Sequence, residues 1–440
     1  MGVLSKKPKM LLVELNEFDP EFLLASSKSL DLRNIPRALG LRRTSTTTSD
    51  SVEHQGLDPW VQWVSVHCGQ PSAVHGVKRL GQTARQTLPQ LWTRLGDAGV
   101  TWGAWGAMNA PRQSAPGCKF FFPDPWSFQE EAYPSSLDDL LALPRYAARN
   151  YLDTDRFRMA LEATKFIGAL VKPSMWRSAA NFTRRFVAHA VTRGVTVHTL
   201  STFLDYLSTL IFVDFRERMR PDFSLIFLNN IAHLQHQFWP RGSLHPEMIL
   251  GLRLTDEMLG LLLDSLDGDE AFILMNGLKQ RNVDGEGFCV YRQKNPHEFI
   301  KRLGLQGRVE QCMTHDAHII CDDAAAADRA ERVLKGCRLS TGVRAFFVER
   351  VDRETVFYQI DFDREMPADT QLVSGNEIIM LSDVIDLYAR RTGAHIPTAD
   401  LFSLRIGAPA QIRNHEVFDL VLSHFGVGAE KAPLSVSTAR

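Results

Sequence analysis

The chain has 440 residues, 44% hydrophobic and 23% charged, the composition of a folded protein with a large core. Lys and Arg number 50 against 51 Asp and Glu, with no long basic block, so the charge gives no reason to expect a nucleic-acid polymer as partner. No run of about 20 apolar residues occurs, so no spanning helix is expected.

The six cysteines are scattered without a Cys-x-x-Cys pair, which suggests neither a zinc ribbon nor a disulfide framework. The basic start, Lys6, Lys7 and Lys9, leads into an apolar run that meets Glu14 too soon for a signal peptide. The expected setting is cytoplasmic and reducing.

Met10–Leu15 is an apolar run that predicts a buried strand, with Asn16 and Glu17 at its carboxyl end, where open α/β sheets place ligands. Arg42–Gln55 is rich in Ser and Thr and reads as loop. Asp58 before Pro59 predicts a helix start with Asp58 as cap, followed by apolar spacing through Cys68 and turns at Gly69, Pro71 and Gly76. Leu88–Gly99 predicts a helix and Val100–Ala107 the next strand.

From Ser135 to Met219 the pattern changes. Asp153–Val171, Met175–Arg193 and Val195–Met219 show helical spacing with basic residues on one side, and predict a cap. Asp222–Leu228 and Ala271–Met275 read as strands flanking a helix at Pro246–Leu266. Helices at Pro296–Leu303 and Ala324–Lys335, with extended segments Arg308–Cys321 and Ala345–Ile360, predict a compact α+β insertion. Glu377–Arg391 and Val417–His424 read as helices, and the residues after Gly426 as a frayed tail.

The expected fold is α/β, with a central, mostly parallel sheet between helices, a helical cap and a small α+β insertion. The core would comprise residues 1–134, 221–284 and 376–426, the cap 135–220, the insertion 285–375 and the tail 427–440.

Three segments in order carry a resemblance: Met10–Asp19 (MLLVELNEFD), Asp58–Val77 (DPWVQWVSVHCGQPSAVHGV) and Phe223–Trp239 (FSLIFLNNIAHLQHQFW). Together they resemble the type I phosphodiesterase side of the alkaline phosphatase superfamily, with Leu88–Ala110 and Pro123-Asp124-Pro125 similar to its connecting segments. The resemblance implies an alkaline phosphatase-like fold and phosphoryl chemistry at two cations held by carboxylates and histidines.

The departures alter that site. The family's first Asp falls on Asn16, the Asp of the third segment on Asn229 or Asn230, and the strand that ends in Asp-His-Gly ends here in Met275-Asn276-Gly277. Neutral amides are weak ligands, so the two-metal cluster is not expected. At most one zinc is expected, through His233, His236 and His395; the alternative is that these histidines bond the Asn side chains without metal.

The nucleophilic Thr position falls near Pro59, so Asp58 becomes the candidate nucleophile or base, with a purely capping role as its alternative. Glu17 is the remaining carboxylate for acid–base work, or a solvated loop residue. Asn16, Gln62, Asn229, Asn230 and Asn276 are the candidate substrate-binding residues. Trp60, Trp63, Trp102, Trp105, Trp126 and Trp239 could stack on sugars or bases, or pack in the core.

The implied function is a phosphodiesterase-like hydrolase or transferase acting on a phosphoester, or related ester, of a sugar- or nucleotide-containing substrate. The alternative is a catalytically silent protein of the same fold that binds a glycan or nucleotide.

Overall fold

In a computed structural model, which describes residues 7–51, 57–150, 155–173, 175–239, 241–313 and 315–428, every residue of Met10–Leu15 (β1) is buried. A strand buried on both faces belongs in the middle of a parallel sheet. Along the chain follow helices α1 (Pro20–Leu30) and α2 (Asn34–Leu39), strand β2 (Arg42–Thr47), helices α3 (Pro59–Cys68), α4 (Ser72–His75) and α5 (Leu91–Asp97), and strands β3 (Trp102–Trp105) and β4 (Cys118–Phe122). Helices α6 (Asp138–Asn150), α7 (Arg156–Leu170), α8 (Trp176–Arg193) and α9 (Val197–Met219) come next. They lead into strand β5 (Phe223–Leu228), helices α10 (Asn230–Phe238) and α11 (Pro246–Asp264), and strand β6 (Ala271–Met275).

The eight-stranded sheet runs Gln411–Arg413, β2, Thr398–Leu404, β6, β1, β5, β3, β4. The five strands from β6 to β4 are mutually parallel, and Thr398–Leu404 is antiparallel to both of its neighbours. In register, Leu15 lies beside Leu228 and Glu14 beside Met275, so β1, β5 and β6 end together.

Alternation along β1 builds a layer on each face. Leu11, Val13 and Leu15 pack with apolar residues of α1, α2, α9 and α11. Met10 and Leu12 pack on the other face with Trp63 and Val66 of α3 and with Leu91, Trp92 and Leu95 of α5. Strand β1 and its parallel neighbour β5 thus form one sheet between helices, as the sequence pattern indicates.

Two segments differ from expectation. Arg42–Thr47 is a strand rather than loop. Thr44 and Thr46 are buried, and their hydroxyls donate to the Pro409 carbonyl (2.8 Å) and Asn414 Oδ1 (2.6 Å). Polar β-branched side chains can therefore line a sheet interior once the partner segment supplies acceptors. Glu377–Arg391 is not one helix but strand Glu377–Met380, a four-residue helix Leu381–Val384 and strand Ile385–Arg390. Pairing of Glu377–Met380 with Gln371–Ser374 overrides the apparent helical spacing.

The chain divides into two compact units. The larger comprises Met1–Phe238, Leu244–Arg281 and His395–Arg440, and holds the eight-stranded sheet. The smaller comprises Trp239–Ser243 and Asn282–Ala394. Its four-stranded antiparallel sheet (Phe346–Arg350, Thr355–Ile360, Asp316–Ile320, Arg308–Met313) packs with helix Ala324–Gly336 around Phe299, Ile319, Leu334, Phe346 and Tyr358. The expected tail from Gly426 lies largely outside the described residues, which end at 428. Among the described residues no helix is long and apolar enough to cross a membrane.

Candidate metal centre

The centre lies at the carboxyl ends of β1, β5 and β6, where parallel strands release the chain into loops. Residues 10, 12, 14 and 16 project from β1 toward α3. Glu14 meets His67 of α3 at 2.7 Å, with both side chains fully buried. Two residues on, Asn16 Oδ1 accepts from Trp63 Nε1 of α3 at 2.8 Å.

An indole N–H only donates, so this bond fixes the amide with its oxygen toward Trp63. The Asn16 amide nitrogen therefore donates to Glu17 Oε1 at 3.0 Å and to Asn229 Oδ1 at 2.8 Å. Asn229 carries the chain of bonds to His233 Nε2 at 3.0 Å. Asp205 of α9 accepts the backbone N–H groups of Asn229 (2.6 Å) and Asn230 (2.7 Å), which secures the start of α10. Burial pushes the Asp205 carboxyl up to about 7, against the lowering effect of those two bonds.

Glu17 has a left-handed backbone, φ 58°, rare for a residue with a side chain, and its N–H donates to the Asn276 carbonyl at 3.0 Å. Its carboxylate is almost wholly buried. Gln280 donates to Oε2 at 2.6 Å, and both His236 Nε2 and His395 Nε2 lie 3.0 Å from the same oxygen. The two imidazole nitrogens are 3.3 Å apart. Burial alone would raise the Glu17 carboxyl, but His395 and His236, when protonated, hold it well below the usual carboxylate range.

The far nitrogen of His395 decides the chemistry. Nδ1 lies 2.9 Å from the Leu57 carbonyl, which can only accept, so Nδ1 carries the proton. In the neutral ring Nε2 then presents a lone pair to Glu17 Oε2 and to His236 Nε2. These atoms repel one another unless a shared proton or a cation lies among them. Their separations of 3.0, 3.0 and 3.3 Å match the donor spacing of a tetrahedral site, about 3.3 Å for bonds of about 2.0–2.1 Å. One carboxylate with two histidines is also a zinc-type donor set. The residues present therefore fit a single metal ion.

The expected residues divide as follows. Glu17, His236 and His395 come together, with Asn16 and Asn229 adjoining. His233 is not part of the trio: its Nε2 faces the Asn229 amide, and Glu17 takes the third position. Asn230 turns away and donates to Thr255 Oγ1 at 2.9 Å. Asn276 donates to the Phe18 carbonyl and accepts from the Asp400 N–H, both at 2.8 Å, so it ties loops together beneath the site. Gln62, fully buried, joins Asp50 (2.7 Å) to Asn414 (2.8 Å).

Asp58 stands at the first position before α3, ahead of Pro59, yet its side chain makes no capping bond. Its carboxylate instead lies 3.9 Å from His395 Nδ1. Trp63, Trp102 and Trp105 are buried, so they pack in the core rather than stack on a ligand. Gln280 was not foreseen; a lone Gln after a strand carries no motif, and its role emerges only where β6 ends beside β1.

No protein-family model matches the chain, and no curated protein matches it. Among solved structures, phosphonoacetate hydrolase from Sinorhizobium meliloti 1021, in complex with phosphonoacetate, aligns over 96% of this chain and 95% of its own, with 12% identity and a TM-score of 0.46. An inactive variant of murine ectonucleotide pyrophosphatase/phosphodiesterase 5, in complex with AMP, aligns over 96% of both chains with 9% identity and a TM-score of 0.46. A TAB5 alkaline phosphatase variant with bound Mg aligns over 96% of this chain and 99% of its own, with 12% identity and a TM-score of 0.39. Each of these three alignments extends along nearly the whole length of this chain.

Proposed function

We propose that the protein is a hydrolase or transferase of a phosphoester, or related ester, that works with one zinc held by Glu17, His236 and His395. The observation behind this reading is the meeting of one carboxylate oxygen and two imidazole nitrogens within 3.3 Å of one another, with the His395 tautomer set by the Leu57 carbonyl. Zinc bound there would supply a Lewis acid for the ester oxygen and a lowered pKa for water.

The chain's own residues prepare that centre. Asn16 and Gln280 hold the Glu17 carboxylate from both oxygens, so it is oriented before any ion arrives. Leu57 fixes the ring of His395. Asp58, partly exposed and beside that ring, is the candidate general base for the attacking group. The substrate would carry a sugar or nucleotide, as the sequence resemblance implies.

A second reading is a binding protein without catalysis. The Asn16–Asn229–His233 chain favours it, because amides stand where the family has metal-binding carboxylates. Metal analysis and zinc titration of the purified protein, with hydrolysis of a panel of phosphomonoesters and phosphodiesters, separate the two. The enzyme reading expects one tight zinc per chain, lost in His395→Ala, and hydrolysis that needs it. One zinc without hydrolysis would favour the binder, and two tight ions would contradict the proposed centre.

A further inference from the structure

We propose that the successive helices α7 and α8 dock on an anionic lipid surface without crossing the bilayer. Helix α8 turns Phe182 and Phe186 inward, where they stack on each other and meet Phe203 of α9 edge-on. A helix with one such face should be polar elsewhere. Instead, α8 carries a second apolar stripe outward: Trp176 (58% exposed), Val187 (49%) and Val191 (81%). At about 100° per residue these three fall within about 60° of one another, about 80–180° around the helix from Phe182 and Phe186.

Helix α7 repeats the arrangement. Phe166 and Leu170 face the core, while Phe157 (81%), Leu161 (49%), Ile167 (57%) and Val171 (70%) face solvent from the helix and its last turn. Twelve of the twenty exposed large hydrophobic side chains among the described residues lie between Phe157 and Leu204. That density on one segment marks an interaction surface rather than scattered exposure.

Charge selects the occupant. Residues 156–200 contain eight Lys and Arg and a single acidic residue, Glu162, while the rest of the chain has 42 basic and 50 acidic residues. Arg158 and Lys165 fall on one margin of the α7 stripe, and Arg177 and Arg184 on one margin of the α8 stripe. All four are exposed. An apolar stripe edged by long cations suits the boundary between acyl chains and anionic headgroups: the stripe enters and the cations reach the phosphates. A second copy of the chain would bring the same four cations against these four, so self-association there is disfavoured. Neither stripe is long enough to span.

The test is sedimentation of the full chain with vesicles of phosphatidylcholine alone or mixed with phosphatidylserine. The expected result is binding to the anionic vesicles, weak binding to the neutral ones, and loss of affinity as salt rises. Each basic residue at such a surface contributes roughly fivefold, so Arg177→Glu with Arg184→Glu should weaken binding by at least about tenfold. Val187→Ser with Val191→Ser should weaken it at low salt too. These positions are exposed, so unchanged thermal unfolding is expected in both variants and is checked alongside. Failure of the wild-type chain to bind anionic vesicles at low salt would overturn the proposal, whether or not it captures an acidic protein. So would equal binding by folded variants. The metal centre's activity plays no part in the readout.

Discussion

Asn16→Asp places a carboxylate 3.0 Å from Glu17 Oε1 and 2.8 Å from Asn229 Oδ1, where the wild type has an amide donor. Two like charges at 3.0 Å repel by about 5 kcal/mol at an effective dielectric constant near 20. Keeping the new carboxyl protonated at pH 7 costs about 4 kcal/mol, taking an ordinary Asp value near 3.9. Protonation is the cheaper solution, and its O–H restores one of the lost bonds. The metal-free variant should therefore be less stable by up to about 4 kcal/mol, or roughly 4 °C in midpoint for a chain of this length. A divalent cation at Glu17, His236 and His395 removes the penalty, because it favours the ionised form of both carboxylates. Zinc should thus raise the variant's melting temperature more than the wild type's, and isothermal titration should show tighter binding. Thermal scans at pH 7 with chelator and with zinc measure both terms. A chelated variant as stable as the wild type, with unchanged zinc affinity, would refute the reasoning.

Gly277→Ala should destabilise the fold by about 1–3 kcal/mol in denaturant melts, since Gly277 has φ 68° and an added Cβ would lie 2.8 Å from the Trp63 ring. The displaced indole would release Asn16, so zinc affinity should shift with stability. His75 gives a pH signature. Val77 N–H donates to its Nδ1 at 3.1 Å, Nε2 donates to Ser65 at 3.0 Å, and burial lowers its pKa from 6.5 to about 4. A depressed folded value means that the stability it contributes is complete above about pH 6.5 and is lost as pH falls toward 4. The partial exposure of the ring reduces the effect to about 1–2 kcal/mol. Melting curves of the wild type and His75→Gln across that window should converge at the acid end, and parallel curves would count against it. Zinc binding should release protons and weaken as pH is lowered, which titration in two buffers of different ionisation enthalpy detects.

Strong local patterns were legible in the residues. The predominantly apolar runs Met10–Leu15 and Ala271–Met275 are strands over those same bounds, and Val417–His424 is a helix over its own. Buried parallel strands and amphipathic helices leave patterns that do not depend on distant partners. Arg42–Thr47 left none, because its burial depends on acceptors contributed by Pro409 and Asn414. Glu377–Arg391 misled for a similar reason: its apolar residues, Ile378, Ile379 and Ile385 among them, suit a helix face or a strand, and pairing decided between them.

At the centre, the resemblance implied that Asn16, Asp58, Gln62, Asn229 or Asn230, His233, His236, Asn276 and His395 should converge at the carboxyl edge of the sheet, with Glu17 next to Asn16. Which atoms meet was a tertiary outcome. The left-handed turn at Glu17 aims its carboxylate between His236 and His395, while His233, one turn earlier on α10, faces Asn229. The orientation of the Asn16 amide depends on Trp63, 47 positions away in sequence, and the His395 tautomer on Leu57, 338 positions away. A sequence can announce which donors and acceptors exist, but hydrogen-bond direction is set by the partner's chemistry, and only the folded chain chooses the partner.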